Sequence, residues 1–320
     1  MKKIAVVTSG GDAPGMNAAI RAVTRVAYSK GLKVVGFHRG WEGLMKNKFT
    51  SLTPRSVGGI LGRGGTILYT ARSPDFRTIK GVKRAAETLA MHHIDGLVVI
   101  GGDGSIAGAY ELSKETNTSI VVVPASIDND VFGTDETIGF DTAVNTAMTE
   151  IDKIRDTAMS HERIFIIEVM GRKSGFIALT AGITAGAEVI LIPEAKFRRD
   201  EIFRTIKKNE AKGKKSSIVV AAEGVGNNRK LARDIEENTG SEVRLSVLGY
   251  AQRGGSPTAR SRLLACLFGN KAIELLSEGQ RGRVVGIQNG KIASINLEKS
   301  CKTKRLPDLT LLQLANKLAT

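Results

Sequence analysis

The 320-residue sequence is 42% hydrophobic and 25% charged, the balance of a globular chain with room for two domains of ordinary size. No apolar run approaches the ~18 residues of a membrane span. Lys2-Lys3 leads straight into a strand rather than a signal-peptide core, and Cys266 and Cys301 are too few for a disulfide framework or a zinc site. The net charge of +15 calls for anionic partners, but aromatic residues are only 5% and the basic residues are spread along the chain. Phosphorylated small molecules fit this pattern; the expectation is a cytoplasmic protein with no nucleic-acid and no membrane partner.

Lys2 to Thr8 reads as a first buried strand, followed by Ser9-Gly-Gly-Asp-Ala-Pro-Gly-Met-Asn17 and a helix to about Gly31 with apolar positions Ala18, Ala22 and Val26. Glycine at a strand-to-helix turn lets a ligand approach the backbone, and the helix start offers free N–H groups to a phosphate. The stretch is neither a dinucleotide fingerprint nor a P-loop. A second strand near Lys33 to Phe37 precedes Gly62-Arg-Gly-Gly-Thr66 and Thr70-Ala-Arg72, then a helix from about Thr78 to His93, whose two terminal histidines read as ordinary helix-end residues. Strand Gly96 to Ile100 ends in Gly101-Gly-Asp-Gly-Ser105 with a helix to Lys114 beyond. This repeats the first arrangement, so the two loops together form one anion cradle, with Asp103 suited to a magnesium on the phosphates.

The apolar run Ile120-Val-Val-Val123 is closed by Pro124-Ala-Ser-Ile-Asp-Asn-Asp130. A β-branched run ended by proline is a buried strand, and the side chains after it emerge at the carboxyl end, where open α/β sheets bind ligands. Asp128 and Asp130, with the Ser126 hydroxyl before them, suit holding a metal, abstracting a proton, or capping a turn. A long helix from Asp141 to about Ser160 follows, with an apolar stripe through Val144, Met148, Ile151, Ile154 and Ala158. Strands near 164–169, 188–193, 217–224 and 243–250 alternate with helices near 200–213, 228–239 and 257–278, then a hairpin over 284–295 and a closing helix over 309–318. Such alternation requires a mainly parallel sheet wrapped by helices. A domain cut is expected near residue 140.

These stretches, with Met170-Gly-Arg172, Glu223-Gly224 and Gln252-Arg-Gly-Gly-Ser-Pro-Thr258, resemble the bacterial ATP-dependent 6-phosphofructokinase family over essentially the full length. The resemblance implies two similar three-layer α/β/α domains with mainly parallel sheets and an active site in the interdomain cleft. Residues 1–140, with a returning segment at about 251–300, would bind ATP, and 141–320 would bind fructose 6-phosphate. It implies transfer from Mg-ATP to the sugar's 1-hydroxyl, the committed step of glycolysis, in a homotetramer with subunit-shared sites.

By the same resemblance Asp128 is the general base, helped by Ser126, Arg72 and Arg172. ATP would lie against Gly11, Arg72, Ser73, Gly102, Asp103, Gly104 and Ser105, with Asp103 as the Mg2+ ligand. The sugar phosphate would meet Ser126, Ile127, Asp128, Arg163, Met170, Gly171, Arg172, Glu223, Arg244, Tyr250 and Arg253, with Arg163 and Arg244 reaching a neighbouring subunit's substrate. An ADP or phosphoenolpyruvate effector would meet Arg21, Arg25, Arg155, Gly186, Glu188, Lys212 and Lys214.

Three departures stand out. Ala125-Ser126 replaces the family's Gly-Thr and keeps the hydroxyl. Tyr250 replaces a usual histidine and loses an imidazolium. Pro54 and Gly59 replace an arginine and an aspartate of the effector pattern. Pyrophosphate-dependent relatives typically have aspartate at the position of Gly104 and lysine at that of Ala125, so ATP is the expected donor. The alternatives are a pyrophosphate-dependent enzyme and a nucleotide-sensing protein that has lost catalysis.

Overall fold

A computed structural model describes residues 1–319; Thr320, the last residue of the second expected domain, lies outside them. In chain order the elements are β1 (Lys3–Ser9), α1 (Met16–Ser29), β2 (Lys33–Phe37), α2 (Trp41–Met45), β3 (Phe49–Leu52), α3 (Ile79–Met91), β4 (Gly96–Gly101), α4 (Asp103–Glu115), β5 (Ser119–Pro124) and α5 (Phe140–Ser160). There follow β6 (Ile164–Val169), α6 (Phe176–Thr184), β7 (Val189–Leu191), α7 (Arg199–Ala211), β8 (Ser217–Ala222), α8 (Asn228–Thr239) and β9 (Val243–Val247). The chain closes with α9 (Ala259–Ser277), β10 (Arg283–Gln288), β11 (Lys291–Asn296), α10 (Leu297–Lys302) and α11 (Thr310–Leu318). Two units emerge among the described residues, one of Met1–Thr142 and Arg253–Arg305, the other of Ala143–Gln252 and residues 306–319.

The first unit holds a seven-stranded sheet in the order β11-β10-β5-β4-β1-β2-β3. The central strands β2, β1, β4, β5 and β10 run parallel, and β3 and β11 close the edges antiparallel. β4 and β5 are buried along their whole length, which is why both read as continuous apolar runs. Because β2 lies on one side of β1 and β4 on the other, the chain changes direction between β1 and β4, the crevice where such sheets take ligands. One face packs on Trp41, Phe76, Leu89, Ile106 and Leu112, with Trp41 and Phe76 stacked 4.4 Å apart.

The second unit holds a parallel four-stranded sheet, β7-β8-β6-β9. Ile164, Ile166, Val219 and Ala221 pack on Ile202 and Ile206 of α7 and Leu231 and Ile235 of α8. The helix pattern of α7 and α8, apolar every three or four residues, produces this contact. Two details differ from expectation. Short α2, the edge strand β3 and the short α10 were not legible, and on α1 Ala18 and Ala22 are buried as expected, beside Ala19, Val23 and Ala27, while Val26 is only half-buried. Among the described residues no helix is long and apolar enough to cross a membrane.

Candidate active site

In the first unit, Ser9, Gly101 and Pro124 stand in register at the ends of neighbouring strands. The segments after β1, β4 and β5 therefore open side by side along one edge. After β1, Gly10 turns at φ +86°, a left-handed value that glycine takes at little cost. Its carbonyl accepts the Thr70 hydroxyl at 2.7 Å, which ties the Thr70-Ala71-Arg72 stretch to this turn. Arg72 is exposed and Ser73 half-buried. A Cβ on Gly11 would fall on the Arg253 guanidinium, which pairs with Asp12 at 2.8 Å. Arg253, expected against the sugar phosphate, lies beside this glycine turn in the first unit.

After β4, α4 begins at the exposed Asp103 and Gly104 with no side chain capping it, and the Ser105 amide donates to the Gly102 carbonyl at 2.9 Å. Ser105 is buried and donates its hydroxyl to the Ser9 carbonyl at 2.9 Å, binding the second loop to the first. Nothing lies within 4 Å of a Cβ placed on Gly104, and its φ is not positive. The fold itself therefore gives no reason for glycine there. Among the described residues no three His, Cys, Asp or Glu side chains are grouped as a metal site. Asp103 alone suits Mg2+, which takes one or two carboxylates and completes its shell with phosphate oxygens and water.

After β5, the Ser126 hydroxyl accepts the Asp128 amide at 3.2 Å. Asp128 is 8% exposed, beside the buried Ile127, and the next residue, Asn129, adopts φ +54°. The Asn129 side-chain oxygen accepts the Thr137 amide at 2.9 Å and its hydroxyl at 3.1 Å, and Thr137 donates that hydroxyl to the Ser126 carbonyl at 2.6 Å as well. Burial pushes the half-buried Glu136 carboxyl up, opposed by Arg260 at 2.8 Å. A side chain at Gly102 would press on Ser126 Cβ at 3.1 Å, so that glycine lets the second and third loops approach.

In the second unit the carboxyl ends of β6 and β8 also stand together, Val169 opposite Ala222. Arg172, exposed, adopts φ +54°, and its amide donates to Glu223 Oε1 at 2.6 Å. The Gly171 carbonyl accepts the Ser174 amide at 2.8 Å. The Met170 amide donates to the side chain of Gln252 at 3.4 Å, and Gln252 is fully buried. Tyr250 lies beyond the end of β9 and is 76% exposed.

Arg163 and Arg244 are elsewhere. They lie at the amino ends of β6 and β9, where Ile164 faces Val243 and Phe165 faces Arg244. The length of β6 separates them from Arg172 by roughly 17 Å along the strand, given ~3.3 Å per residue. Both pair with one carboxylate, Glu242, at 2.5 Å for Arg163 and in close contact for Arg244. The hydrogen bond from Arg163, aided by Arg244, holds the Glu242 carboxyl below its usual range.

Of the expected effector residues, Arg155 donates to the carbonyls of Ala185 and Gly186 at 2.6 and 2.8 Å. It also approaches the buried Glu188 at 3.5 Å, and Lys214 pairs with the same carboxylate. Lys212 is exposed at the end of α7. Arg21 and Arg25 lie on α1 in the first unit, Arg25 donating to the Pro54 carbonyl at 3.4 Å. Sequence reasoning gave no role to Asp12, Gln252 or Glu242. Glu242 was accessible, since two residues before Arg244 along an extended segment is the same face.

A model of the family "Phosphofructokinase" matches residues 3–276. An ATP-dependent 6-phosphofructokinase of Lysinibacillus sphaericus is 53% identical and one of Bacillus subtilis (strain 168) 52% identical, each over 319 residues covering 100% of both chains. The crystal structure of Pichia pastoris phosphofructokinase in the T-state superposes with a TM-score of 0.89 at 35% identity, covering 99% of this chain and 36% of that one. The chain belongs to the phosphofructokinase family.

Proposed function

We propose that this chain transfers the γ-phosphoryl group of ATP to the 1-hydroxyl of fructose 6-phosphate, with Asp128 as general base. The observation that carries the reading is the shared edge of β1, β4 and β5, which sets two glycine loops suited to phosphates beside one buried carboxylate. As the sugar oxygen attacks the γ-phosphorus, Asp128 takes its proton and ADP leaves. The alcohol becomes acidic only as it attacks, so an ordinary carboxylate suffices. Arg72 and Arg172 neutralise charge spreading over the transferred group, the main work of a protein in phosphoryl transfer. Mg2+ held by Asp103 would offset the charge of the β- and γ-phosphates. Gly102, Gly104 and the start of α4 supply amides to those phosphates.

The sugar would meet Met170, Gly171, Arg172 and Glu223 of the second unit. Arg163 and Arg244, at the opposite edge of that sheet, would hold the 6-phosphate of a substrate on a neighbouring subunit, in a homotetramer. An anionic effector, ADP or phosphoenolpyruvate, would draw on Arg155, Lys212 and Lys214, competing with Glu188 for two of them. ATP is favoured over pyrophosphate because the open space at Gly104 leaves room for an α-phosphate, while Ala125, 1% exposed, has none for a lysine.

The test is the initial rate with fructose 6-phosphate and Mg2+, using ATP and then pyrophosphate. Turnover with ATP alone supports the reading. Turnover with pyrophosphate overturns the donor argument, and none with either overturns the reaction.

A further inference from the structure

Arg305 is the last residue of the first unit and lies beyond the stretch matched by the family model. In the sequence it ends the basic stretch Lys302-Thr-Lys-Arg305, and exposed charges usually contribute little. The structure gives it another position. It is half-buried, and its guanidinium donates to two main-chain carbonyls, Asn129 at 2.7 Å and Asp135 at 2.6 Å. Asn129 follows Asp128 directly and holds the left-handed φ of +54°. The Asn129 carbonyl belongs to the peptide shared with Asp130, so holding it fixes the torsions of Asn129, and through them the course of the backbone on which the Asp128 carboxylate is carried. Burial pushes the guanidinium pKa down, and the negative charges of Asp135, Asp130 and Glu136 oppose that.

We infer that Arg305 is a positioning residue, clamping the Asn129 and Asp135 carbonyls so that the Asp128 carboxylate meets the sugar hydroxyl in one orientation. The rest of this loop has its own ties. The Ser300 hydroxyl donates to the Phe132 carbonyl at 2.7 Å, and Gln288 to that of Gly133 at 3.1 Å. Ile287 exchanges bonds with the Thr134 hydroxyl at 3.0 Å and the Asp135 amide at 2.7 Å. Asn289 donates its amide to the Asp135 carboxylate at 2.7 Å. Residues 132–135 therefore stay docked without Arg305, whereas the Asn129 carbonyl loses a charge-assisted bond. At the end next to the base, the Asn129 side chain keeps its bonds to Thr137 and the Asp128 amide its bond to Ser126, so removing Arg305 frees the Asn129 main-chain carbonyl in particular.

The inference rests on Asp128 being the base, so the experiment separates the two. Steady-state kinetics with ATP, fructose 6-phosphate and Mg2+ are measured for the parent, Arg305→Ala, Asp128→Asn and the double variant. Arg305→Ala is expected to lower kcat about ten- to a hundredfold, the range for a displaced reacting group, with both KM values within about twofold. Millimolar guanidinium should restore part of that loss, and tetramethylammonium at equal ionic strength should not, a distinction a general loss of stability would not produce. The double variant should turn over no more slowly than Asp128→Asn, because both changes act through one carboxylate. Parental kcat in Arg305→Ala, or a loss that adds in full to that of Asp128→Asn, overturns the inference and leaves the base in place. Parental kcat in Asp128→Asn overturns the base and the inference with it. Should Arg305→Ala fail to fold, Arg305→Gln, which donates to only one of the carbonyls, is expected to show a smaller loss; parental kcat there counts equally against the clamp.

Discussion

The loop after β5 in the first unit and the loop after β6 in the second solve one problem with opposite charges. Each carries a proposed reacting side chain beside or at a non-glycine residue at φ +54°, Asn129 in one and Arg172 in the other. Asparagine visits that region readily, whereas an ordinary L-residue costs about 1–2 kcal/mol there. The first loop offers carbonyls outward, and a guanidinium, Arg305, holds them. The second offers amides, and carboxylates hold those: Glu223 on the Arg172 amide at 2.6 Å and Glu194 on the Gly175 amide at 2.9 Å. The lesson is that the backbone polarity a strained turn presents decides the charge of the residue that holds it. At Arg172 the neighbouring segment comes close, since a Cβ on Gly224 would land on the Arg172 carbonyl.

The largest effect is expected from removing the base. Asp128→Ser is expected to lower kcat by about 10²–10⁴, the usual contribution of a positioned base, with the KM for ATP little changed. Unchanged turnover would reduce the β5 loop to a well-made turn. Gly224→Ala tests the other side. The added methyl meets backbone rather than a yielding side chain, so Arg172 must shift. About 1–3 kcal/mol of stability is expected to be lost, read as a lower Tm, with kcat reduced about a hundredfold. A variant with parental kcat would show that the exact pose of Arg172 does not matter.

Gly104 gives a contrasting glycine. Open space surrounds it, so Gly104→Asp should leave Tm unchanged, and an acidic residue in the first turn even suits the start of α4. Its cost should fall on ATP alone, with kcat/KM for the nucleotide about ten- to a hundredfold lower from the displaced phosphates. Equal ATP use in that variant would remove the donor argument. Together Gly224 and Gly104 separate glycines the fold requires from one that a ligand would require.

The sheets were largely legible because buried parallel strands read as uninterrupted apolar runs, as in β4 and β5, and their glycine-rich ends mark where those runs stop. α2 and β3 were not, since five- and four-residue elements are too short for a period to register, and β3 faces solvent along most of its length. The three aligned strand ends could be anticipated because each announces itself locally. Arg305 could not. It is 176 positions from Asn129 and binds main-chain atoms, which leave no complementary side chain to look for. Arg253 was assigned by resemblance to the sugar phosphate, and its tie to Asp12, 241 residues away, has no local signal either.

The finest adjustment lies at the amino edge of the second sheet, where Arg163 and Arg244 share Glu242. The carboxyl is held below its ordinary value, so in the folded chain it stays ionised as pH falls past its unfolded-state value. Its contribution is present at neutral pH and is lost only as pH falls through the lowered folded value. Changes of pH near neutrality therefore do not free the arginines; an arriving phosphate must compete with Glu242 instead. Glu242→Gln removes that competitor, and the KM for fructose 6-phosphate is expected to fall about two- to fivefold with kcat unchanged, a small effect because the pair is exposed. Arg244→Ala should move the same KM upward, by about tenfold or more, without altering that for ATP. If Glu242→Gln raises the KM, the carboxylate orients the arginines rather than occupying them. If neither variant moves it, the two arginines do not bind the 6-phosphate, and the two edges of this sheet serve separate ends.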